Sequence, residues 1–402
     1  MKKLFALFLL LITSFSVYAQ QTFKISGQIR PRFEMDDRDF NSARAASNLT
    51  YMRTRLNAGF TSNNFNAFIQ LQDSRIWGTE TSTVADMKNV DLHQAYFVLS
   101  NMFETPISVK VGRMELLYNN ERVLGSSNWT NVGRSFNGIT LNYNSENFNA
   151  DVLVMKEAEK LAAGDTLDQT LYGVFAEIKP FNKHSFNPFF LLQRGVPSTN
   201  LNRYSLGFYS KGEIEGFTHE AEYIYQSGDY TQALKKYEVS SYLISLNAGY
   251  TFNHYTKPMI GAGIDYYSGD DNLLDNKTKT FNTVYGTGHK FLGFMDYFTD
   301  IPAHTYNVGI MDIIAKAGIN ATERLRLNLI FHIFNSTQDY TLKNGSKTNE
   351  FGNEINLVAN YKYSDNVGFE TGFGYFSPGE IFNEKRGKDS SAWFYLMTIV
   401  NM

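Results

Sequence analysis

Cysteine is absent from the 402 residues, so the chain has no disulfide and no thiolate metal site. Proline is scarce, at 8 residues, and beyond the N-terminus no apolar run approaches the length of a membrane-spanning helix. No apolar stripe with a helical period persists beyond about two turns. These absences exclude a disulfide-stabilised fold and a bundle of membrane helices, so stability has to come from backbone pairing and packing.

The N-terminus carries the features of a secretory signal peptide. Lys2 and Lys3 precede the apolar run 4–12, and small and polar residues follow up to Ala19. This pattern predicts a signal peptide at residues 1–19. A membrane anchor is not favoured, because the apolar run is about half the length of a membrane helix. Loss of the two lysines leaves 35 basic against 40 acidic residues, a formal charge of −5. Nothing in that balance indicates nucleic-acid binding.

Aromatic residues are abundant, with 25 Tyr and 33 Phe, and this composition favours strands. Apolar and polar residues alternate with a period of two, as in Phe23 to Phe33 and again in Leu325 to Ile333. Such segments predict strands with one apolar and one polar face. We count about eighteen, at 23–35, 48–60, 65–77, 90–100, 107–116, 136–143, 148–156, 169–178, 185–194, 202–211, 217–226, 240–252, 258–268, 306–320, 324–335, 352–363, 367–376 and 392–402.

The connections between these strands alternate between short and long. The short ones are 61–64, 144–147, 212–216, 321–323 and 364–366. The long ones are 36–47, 117–135, 269–305 and 336–351. Residues 20–402 are therefore predicted to form one all-β domain, a transmembrane antiparallel up-and-down β-barrel with short periplasmic turns and long extracellular loops. Because lipid tolerates no open sheet edge, the last strand should pair with the first. The alternatives are a soluble sandwich or propeller, although no blade-length repeat is visible.

If the apolar face of each strand meets lipid, the other face lines the lumen. Arg30, Arg32, Arg53 and Arg55 lie on two neighbouring strands and would form a basic ladder that receives carboxylate or phosphate groups. The other interpretation is a set of structural salt bridges in a wet wall. Acidic residues are predicted on other parts of the lumen wall, at Glu177, Glu220, Glu222, Asp265, Asp312 and Glu370.

The stretch 111–141, VGRMELLYNNERVLGSSNWTNVGRSFNGITL, resembles the signature of the alginate-export family of outer-membrane barrels. The matching positions are Gly112, Arg113, Tyr118, Arg122, Gly125, Trp129, Arg134 and Phe136. The resemblance implies an eighteen-stranded barrel whose arginine-lined pore passes an anionic polysaccharide outward. The predicted pore-lining set is Arg30, Arg32, Glu34, Arg53, Arg55, Arg113, Arg122, Arg134, Arg203, Arg324 and Arg326.

Two long loops are candidates for narrowing the pore. The loop 117–135 either folds inward, with Trp129 in the constriction, or forms an exterior cap. The loop 269–305 contributes His289 and Lys290 to the candidate constriction, and it also carries clustered aspartates. Their spacing matches no EF-hand, so a solvated acidic loop is favoured over a Ca²⁺ site. We predict no metal or other cofactor.

Catalytic motifs are missing from the chain: we find no HExxH, GxSxG, Walker or dinucleotide pattern, and we predict no catalytic residue. The leading hypothesis is a bacterial outer-membrane channel for an anionic solute such as a polyuronate. A general or nutrient-uptake porin is the alternative, and a barrel enzyme or adhesin is a third. The expected partners are outer-membrane lipid and an anionic saccharide or small anions, with periplasmic export partners left open and nucleic acid excluded.

Overall fold

The computed structural model describes residues 21–85, 89–159, 168–195 and 200–402. The predicted signal peptide, residues 1–19, lies outside the described residues. Among the described residues, no helix combines the length and apolar character needed to cross a membrane.

Strands make up most of the described chain. Their bounds are β1 Thr22–Asp37, β2 Ser47–Ser62, β3 Phe65–Ile76, β4 Val90–Leu99, β5 Ile107–Met114, β6 Phe136–Asn144, β7 Phe148–Ala158, β8 Gln169–Phe181, β9 His184–Gly195, β10 Asn202–Ile214, β11 Phe217–Gln232, β12 Lys235–Thr251, β13 Met259–Tyr267, β14 Lys277–Thr278, β15 Ile310–Asn320, β16 Leu325–Thr341, β17 Lys347–Lys362, β18 Val367–Pro378 and β19 Ser391–Asn401. The helical pieces are single turns or little more, at Met102–Glu104, Gly288–Lys290, Ile301–His304 and Glu380–Lys385.

Eighteen of these strands form a closed antiparallel barrel, and the two-residue β14 lies within a loop. Each wall strand pairs with its neighbours in sequence, and β13 pairs with β15 across the loop that contains β14. The barrel closes where β1 pairs with β19, for example Ile29 opposite Val400 and Phe33 opposite Leu396. The predicted all-β class, strand number and closure are confirmed. Closure satisfies the backbone groups that an open edge would leave unpaired in lipid.

The outward face of the wall is apolar. Phe23, Ile25 and Leu56 are each more than half exposed in the protein alone, as expected for side chains that meet lipid. Aromatic rings gather at the end of the barrel with the short turns, where Phe65 lies 6.1 Å from Phe60 and 6.3 Å from Phe97 between ring centroids. This arrangement corresponds to an interfacial aromatic girdle.

The two ends of the barrel differ in their connections, and we call them the turn end and the loop end. Glu215 and Gly216 form one tight turn at the turn end, with φ values of 50° and 86°. Two residues with positive φ match the right-handed twist of the flanking strands. At the loop end, the predicted long loop 336–351 is wrong, because β16 and β17 are longer than predicted and leave only residues 342–346 between them.

The lumen is not uniformly polar, which corrects the assumption of one apolar and one polar face on every strand. Leu153, Met155, Leu171 and Leu191 point inward from β7–β9 and are at most 1% exposed. They belong to an apolar cluster that includes residues of both long loops. Over the stretch that carries these four residues, β7–β9 are therefore apolar on both faces, because two folded loops replace water on the inner side.

Candidate pore constriction

The loop 115–135, which we call the crossing loop, folds into the barrel and spans its lumen. Backbone carbonyls of Asn128 to Val132 contact side chains of β1–β3. Arg122, in the same loop, contacts side chains of β11–β13. These two groups of strands lie about half the circumference apart in the eighteen-stranded wall. The crossing loop is thus inside the pore and not an exterior cap.

The carbonyls of the crossing loop are held by two unpaired arginines of the wall. Arg30 donates from Nη1 to the Asn128 carbonyl at 2.6 Å and from Nη2 to the Thr130 carbonyl at 2.8 Å. Arg53 donates from Nη1 to the same Asn128 carbonyl at 3.1 Å and from Nη2 to Oε1 of Gln28 at 2.8 Å. Neither guanidinium has a carboxylate within ion-pair distance among the described residues, so both leave positive charge uncompensated.

The other two arginines of the predicted ladder are neutralised locally. Nε of Arg32 lies 2.7 Å from Oε1 of Glu34, and Nη2 of Arg55 lies 3.1 Å from Oε1 of Glu115. Arg55 also donates from Nε to Oε1 of Gln72 at 2.6 Å. All four arginines are less than a tenth exposed. The structure therefore brings the ladder together as predicted and places the crossing loop over it.

Arg122 ties the crossing loop to the far wall. Its guanidinium lies 2.9 Å from Oε2 of Glu222 and 2.8 Å from Oδ2 of Asp265, and it donates to Oγ of Ser245 at 2.8 Å. Burial alone would lower the pKa of Arg122, but the charges of Asp265 and Glu222 raise it above its ordinary value. Arg122 thus remains protonated, and the cluster is an ion triad shielded from water.

The second long loop, 268–309, packs against the crossing loop through stacked rings. The rings of Trp129 and His289 lie 3.8 Å apart between centroids and are nearly parallel, at 8°. The Arg32 guanidinium lies 4.0 Å from the Trp129 ring centroid on the wall side, a cation–π contact. His289 is oriented by Asp296, whose Oδ1 is 2.9 Å from Nδ1. Trp129 and His289, both named as constriction candidates, therefore stand together in the lumen.

Further contacts anchor the second loop to the wall. Oε1 of Glu354 on β17 accepts from the backbone N–H groups of Phe294 at 2.6 Å and Met295 at 3.2 Å. Arg134 of the crossing loop donates to the carbonyls of Tyr285 and Gly286. Burial lowers the pKa of Arg134, partly offset by Tyr285 and Glu121. Glu354 was not predicted, because no local pattern shows which loop backbone will meet a wall residue.

The remaining predicted residues lie in different parts of the barrel. Arg203 points inward and donates to Oε1 of Gln193 at 2.9 Å, while Arg326 lines the turn end beside Asn320 and Asn328. Tyr96 points inward and pairs with Gly112, so the next residue along β5, Arg113, points outward. Its prediction as a pore residue is therefore wrong. Arg324 lies exposed in the turn before β16 and not on the lumen wall. Lys290 is half exposed, with Nζ 3.6 Å from Oε1 of Glu121.

The predicted inward acids take part in wall contacts. Glu222 and Asp265 hold Arg122, and Asp312 lies 2.8 Å from Nδ1 of His332. Glu220 accepts from the Tyr209 hydroxyl at 2.6 Å and Glu370 from the Tyr395 hydroxyl at 2.9 Å. The aspartates of the second loop serve its own turns: Asp270 accepts from the N–H of Asn272. Across the described ranges, no group of three or more His, Asp or Glu side chains is arranged so that it could hold a metal ion.

Glu115 makes the attachment of the crossing loop sensitive to acid. Burial raises its pKa, but the hydrogen bond with His93 and the charge of Arg55 outweigh this effect and lower the pKa below its ordinary value. A carboxylate with a depressed pKa stabilises the fold above its unfolded pKa, and this contribution is lost as pH falls through the folded value. We expect channel conductance to rise only when the pH falls below the ordinary range of glutamate pKa values.

The matched variant for this acid response is Glu115→Gln. It should show raised conductance at neutral pH and a smaller further rise in acid, measured on single channels in a planar bilayer. An unchanged acid response in Glu115→Gln would place the titrating group elsewhere in the lumen.

A family model described as alginate export matches residues 20–395, nearly the whole chain. The chain belongs to the alginate export family. The resemblance seen in the sequence is thereby confirmed, and this member of the family is an outer-membrane β-barrel channel. No curated protein matched the sequence.

Solved structures of outer-membrane channels share the fold of this alginate export family member. OccD3 (OpdP) of Pseudomonas aeruginosa is 12% identical, with a TM-score of 0.61, over 94% of this chain and 91% of its own. OccAB4 of Acinetobacter baumannii is 13% identical, with a TM-score of 0.62, over 96% and 100%. A BenF-like porin of Pseudomonas fluorescens Pf-5 is 12% identical, with a TM-score of 0.59, over 94% and 98%. At these identities the likeness shows the fold alone.

Proposed function

We propose that this channel passes anionic solutes across the bacterial outer membrane, with an acidic saccharide such as a polyuronate as its cargo class. The observation that carries the proposal is the pair Arg30 and Arg53, which have no carboxylate at ion-pair distance in the described part of the chain. Arg134 and Arg203 add to them without an ion-pair partner among the described residues. Fixed charge in a lumen with low-dielectric walls focuses the field and favours passage of the opposite charge.

The position of the crossing loop gives this field a place to act. Loop carbonyls accept hydrogen bonds from Arg30 and Arg53, so the guanidinium groups are held beside the crossing loop inside the lumen. Solute passes beside the crossing loop or displaces it. If the loop is displaced, carboxylates of the solute replace the loop carbonyls as acceptors for the Arg30 and Arg53 guanidinium groups. Charge-assisted pairs are stronger than neutral ones, which favours that exchange for an anion.

A general porin without polymer specificity is the second candidate. It is favoured by the local neutralisation of Arg32, Arg55 and Arg122 by carboxylates, which leaves a lining of both signs. Such a lining supports weak selectivity for small solutes and no preference for a charged chain. The two candidates differ in whether a uronate oligomer occupies the pore.

The test is single-channel recording of the mature barrel in a planar bilayer under a salt gradient. We expect a reversal potential whose sign reports anion selectivity, and interruption of the current when oligouronate is added to one side of the bilayer. A neutral oligosaccharide of equal length is the control and should leave the current unaltered. Current without anion preference or block would support the general porin and contradict the polyuronate proposal.

A further inference from the structure

A row of polar side chains crosses the outward face of β5–β10 at the loop end. Direct cross-strand pairing joins its members, so their side chains share one face. We call it the outer cationic row, and it consists of Arg113, Asn137, Lys156, Thr170, Arg194 and Asn202. Its three cations stand on β5, β7 and β9. With strands about 4.8 Å apart, neighbouring cations are separated by about 10 Å.

This row marks the border of the apolar belt. Two residues nearer the turn end, the same strands carry an outward row of Val111, Ile139, Val154, Tyr172, Leu192 and Tyr204. Ile139 is 50% exposed and Tyr172 38%, as expected for side chains that face lipid. The outer cationic row is therefore the first polar row beyond the belt, about 7 Å further along the strands. On these strands, lipid headgroups are expected at the border between lipid-facing and polar residues.

Two of the three cations have no carboxylate partner among the described residues. Arg113 donates from Nε to the Leu92 carbonyl at 3.0 Å and contacts the Asn137 amide oxygen at 3.4 Å. Arg194 is exposed, and its side chain forms no hydrogen bond or ion pair with a described residue. Lys156 is paired with Glu159. The positive charge available to a ligand thus comes chiefly from the two arginines.

The neighbouring sectors of the outward face differ, because their cations are paired with carboxylates, as Lys236 is with Asp229. Beyond Asn202 the same row continues into the acids Asp229 and Glu238. On β3 the outward Arg75 is already paired with Asp73, 2.5 Å from Nη2 to Oδ2. Strands β5–β9 therefore offer an anionic headgroup a site that the neighbouring sectors described here lack.

We propose that the outer cationic row binds the phosphate groups of a phosphorylated glycolipid in the outer leaflet of the outer membrane. Arginine pairs bidentately with phosphate, and Asn137 and Thr170 between the cations add polar contacts to the headgroup. Basic sites at the headgroup level attract anionic lipids, and the aromatic and aliphatic row beneath accommodates acyl chains. The inference rests on the proposed outer-membrane location, with the loop end facing outward.

The test uses the full barrel in detergent, titrated with diphosphoryl lipid A and followed by native mass spectrometry. Arg113→Gln/Arg194→Gln should weaken binding by about tenfold or more, as expected when two cations at a lipid headgroup are removed. The matched control is Arg75→Gln, an outward arginine at the same end whose charge Asp73 already compensates; it should bind as the parent does.

Two further arms make the result decisive. Dephosphorylated lipid A should bind parent and double variant alike, because only the phosphate contacts differ. Equal binding of diphosphoryl lipid A by parent and double variant would overturn the proposal. It would also be overturned if the double variant lost as much affinity for phosphatidylglycerol as for diphosphoryl lipid A, because that result would indicate a general anionic-lipid surface. A tag inserted in the turn 342–346 and labelled on whole cells reports the orientation separately, so a wrong location is distinguished from a wrong site.

Discussion

Replacing Arg122 by methionine should release the crossing loop from β11–β13 and convert a constricted channel into one of clearly higher conductance. Glu222 and Asp265 would then be buried without their cation. Breaking a buried ion pair from one side typically costs about 3–5 kcal/mol. Even about 3 kcal/mol corresponds to roughly a hundredfold change in the ratio of attached to detached loop. Single-channel conductance and its open-state noise measure that ratio directly.

Two variants separate this effect from general damage. Arg122→Met/Glu222→Gln/Asp265→Asn removes the triad together with its charges, and it should recover much of the parent conductance because no buried charge is left unpaired. Lys290→Ala breaks a half-exposed contact with Glu121 and should change conductance little. The change of electrophoretic mobility on heating tests whether each variant still folds into a closed barrel. Parent-like conductance in Arg122→Met would contradict the anchoring role.

Arg30→Gln/Arg53→Gln should abolish most of the anion preference while the crossing loop stays in place. Glutamine can still donate to the Asn128 carbonyl, so the substitution removes two uncompensated charges and keeps part of the hydrogen bonding. In a narrow lumen, fixed charge determines which ion is concentrated there, so the reversal potential in a salt gradient should move toward zero.

The matched comparison uses arginines of the same wall that are already neutralised. Arg32→Gln/Glu34→Gln removes one charge of each sign, so it should leave the reversal potential nearly unchanged. Arg30→Lys/Arg53→Lys keeps both charges and should remain anion-selective, with weaker uronate block because lysine cannot bind a carboxylate in the bidentate manner. A reversal potential that does not respond to Arg30→Gln/Arg53→Gln would remove these residues from the selectivity mechanism.

The wall was predictable because its signals are local. Alternation along each strand fixes which side chains face lipid, and it placed Arg30, Arg53 and Arg326 on the lumen side correctly. Strand ends were less predictable, since β16 and β17 continue beyond register shifts at Phe334/Asn335 and Asn335/Tyr340, where the regular alternation is interrupted. Arg113 was misassigned for a related reason: it was carried over from a family motif, and only the register at Gly112 shows its face.

The constriction was only partly predictable. The sequence indicated that Trp129, His289 and Arg122 belong to long loops, but it left an inward and an exterior position open for the crossing loop. The inward leucines and methionine of β7–β9 were the missing clue, because a wet lumen would not bury them. Their packing against the loops decides the question in favour of an occupied lumen.

The sequence by itself determined an all-β barrel of about eighteen strands, its polar and apolar faces, and the adjacency of the basic residues on β1 and β2. Those properties follow from a two-residue period and from the need to pair every backbone group in lipid. Only the tertiary structure decided which charges remain free, because neutralisation joins residues far apart in the chain, as Arg122 joins Asp265. Charge compensation depends on distances between segments, and no local pattern records them.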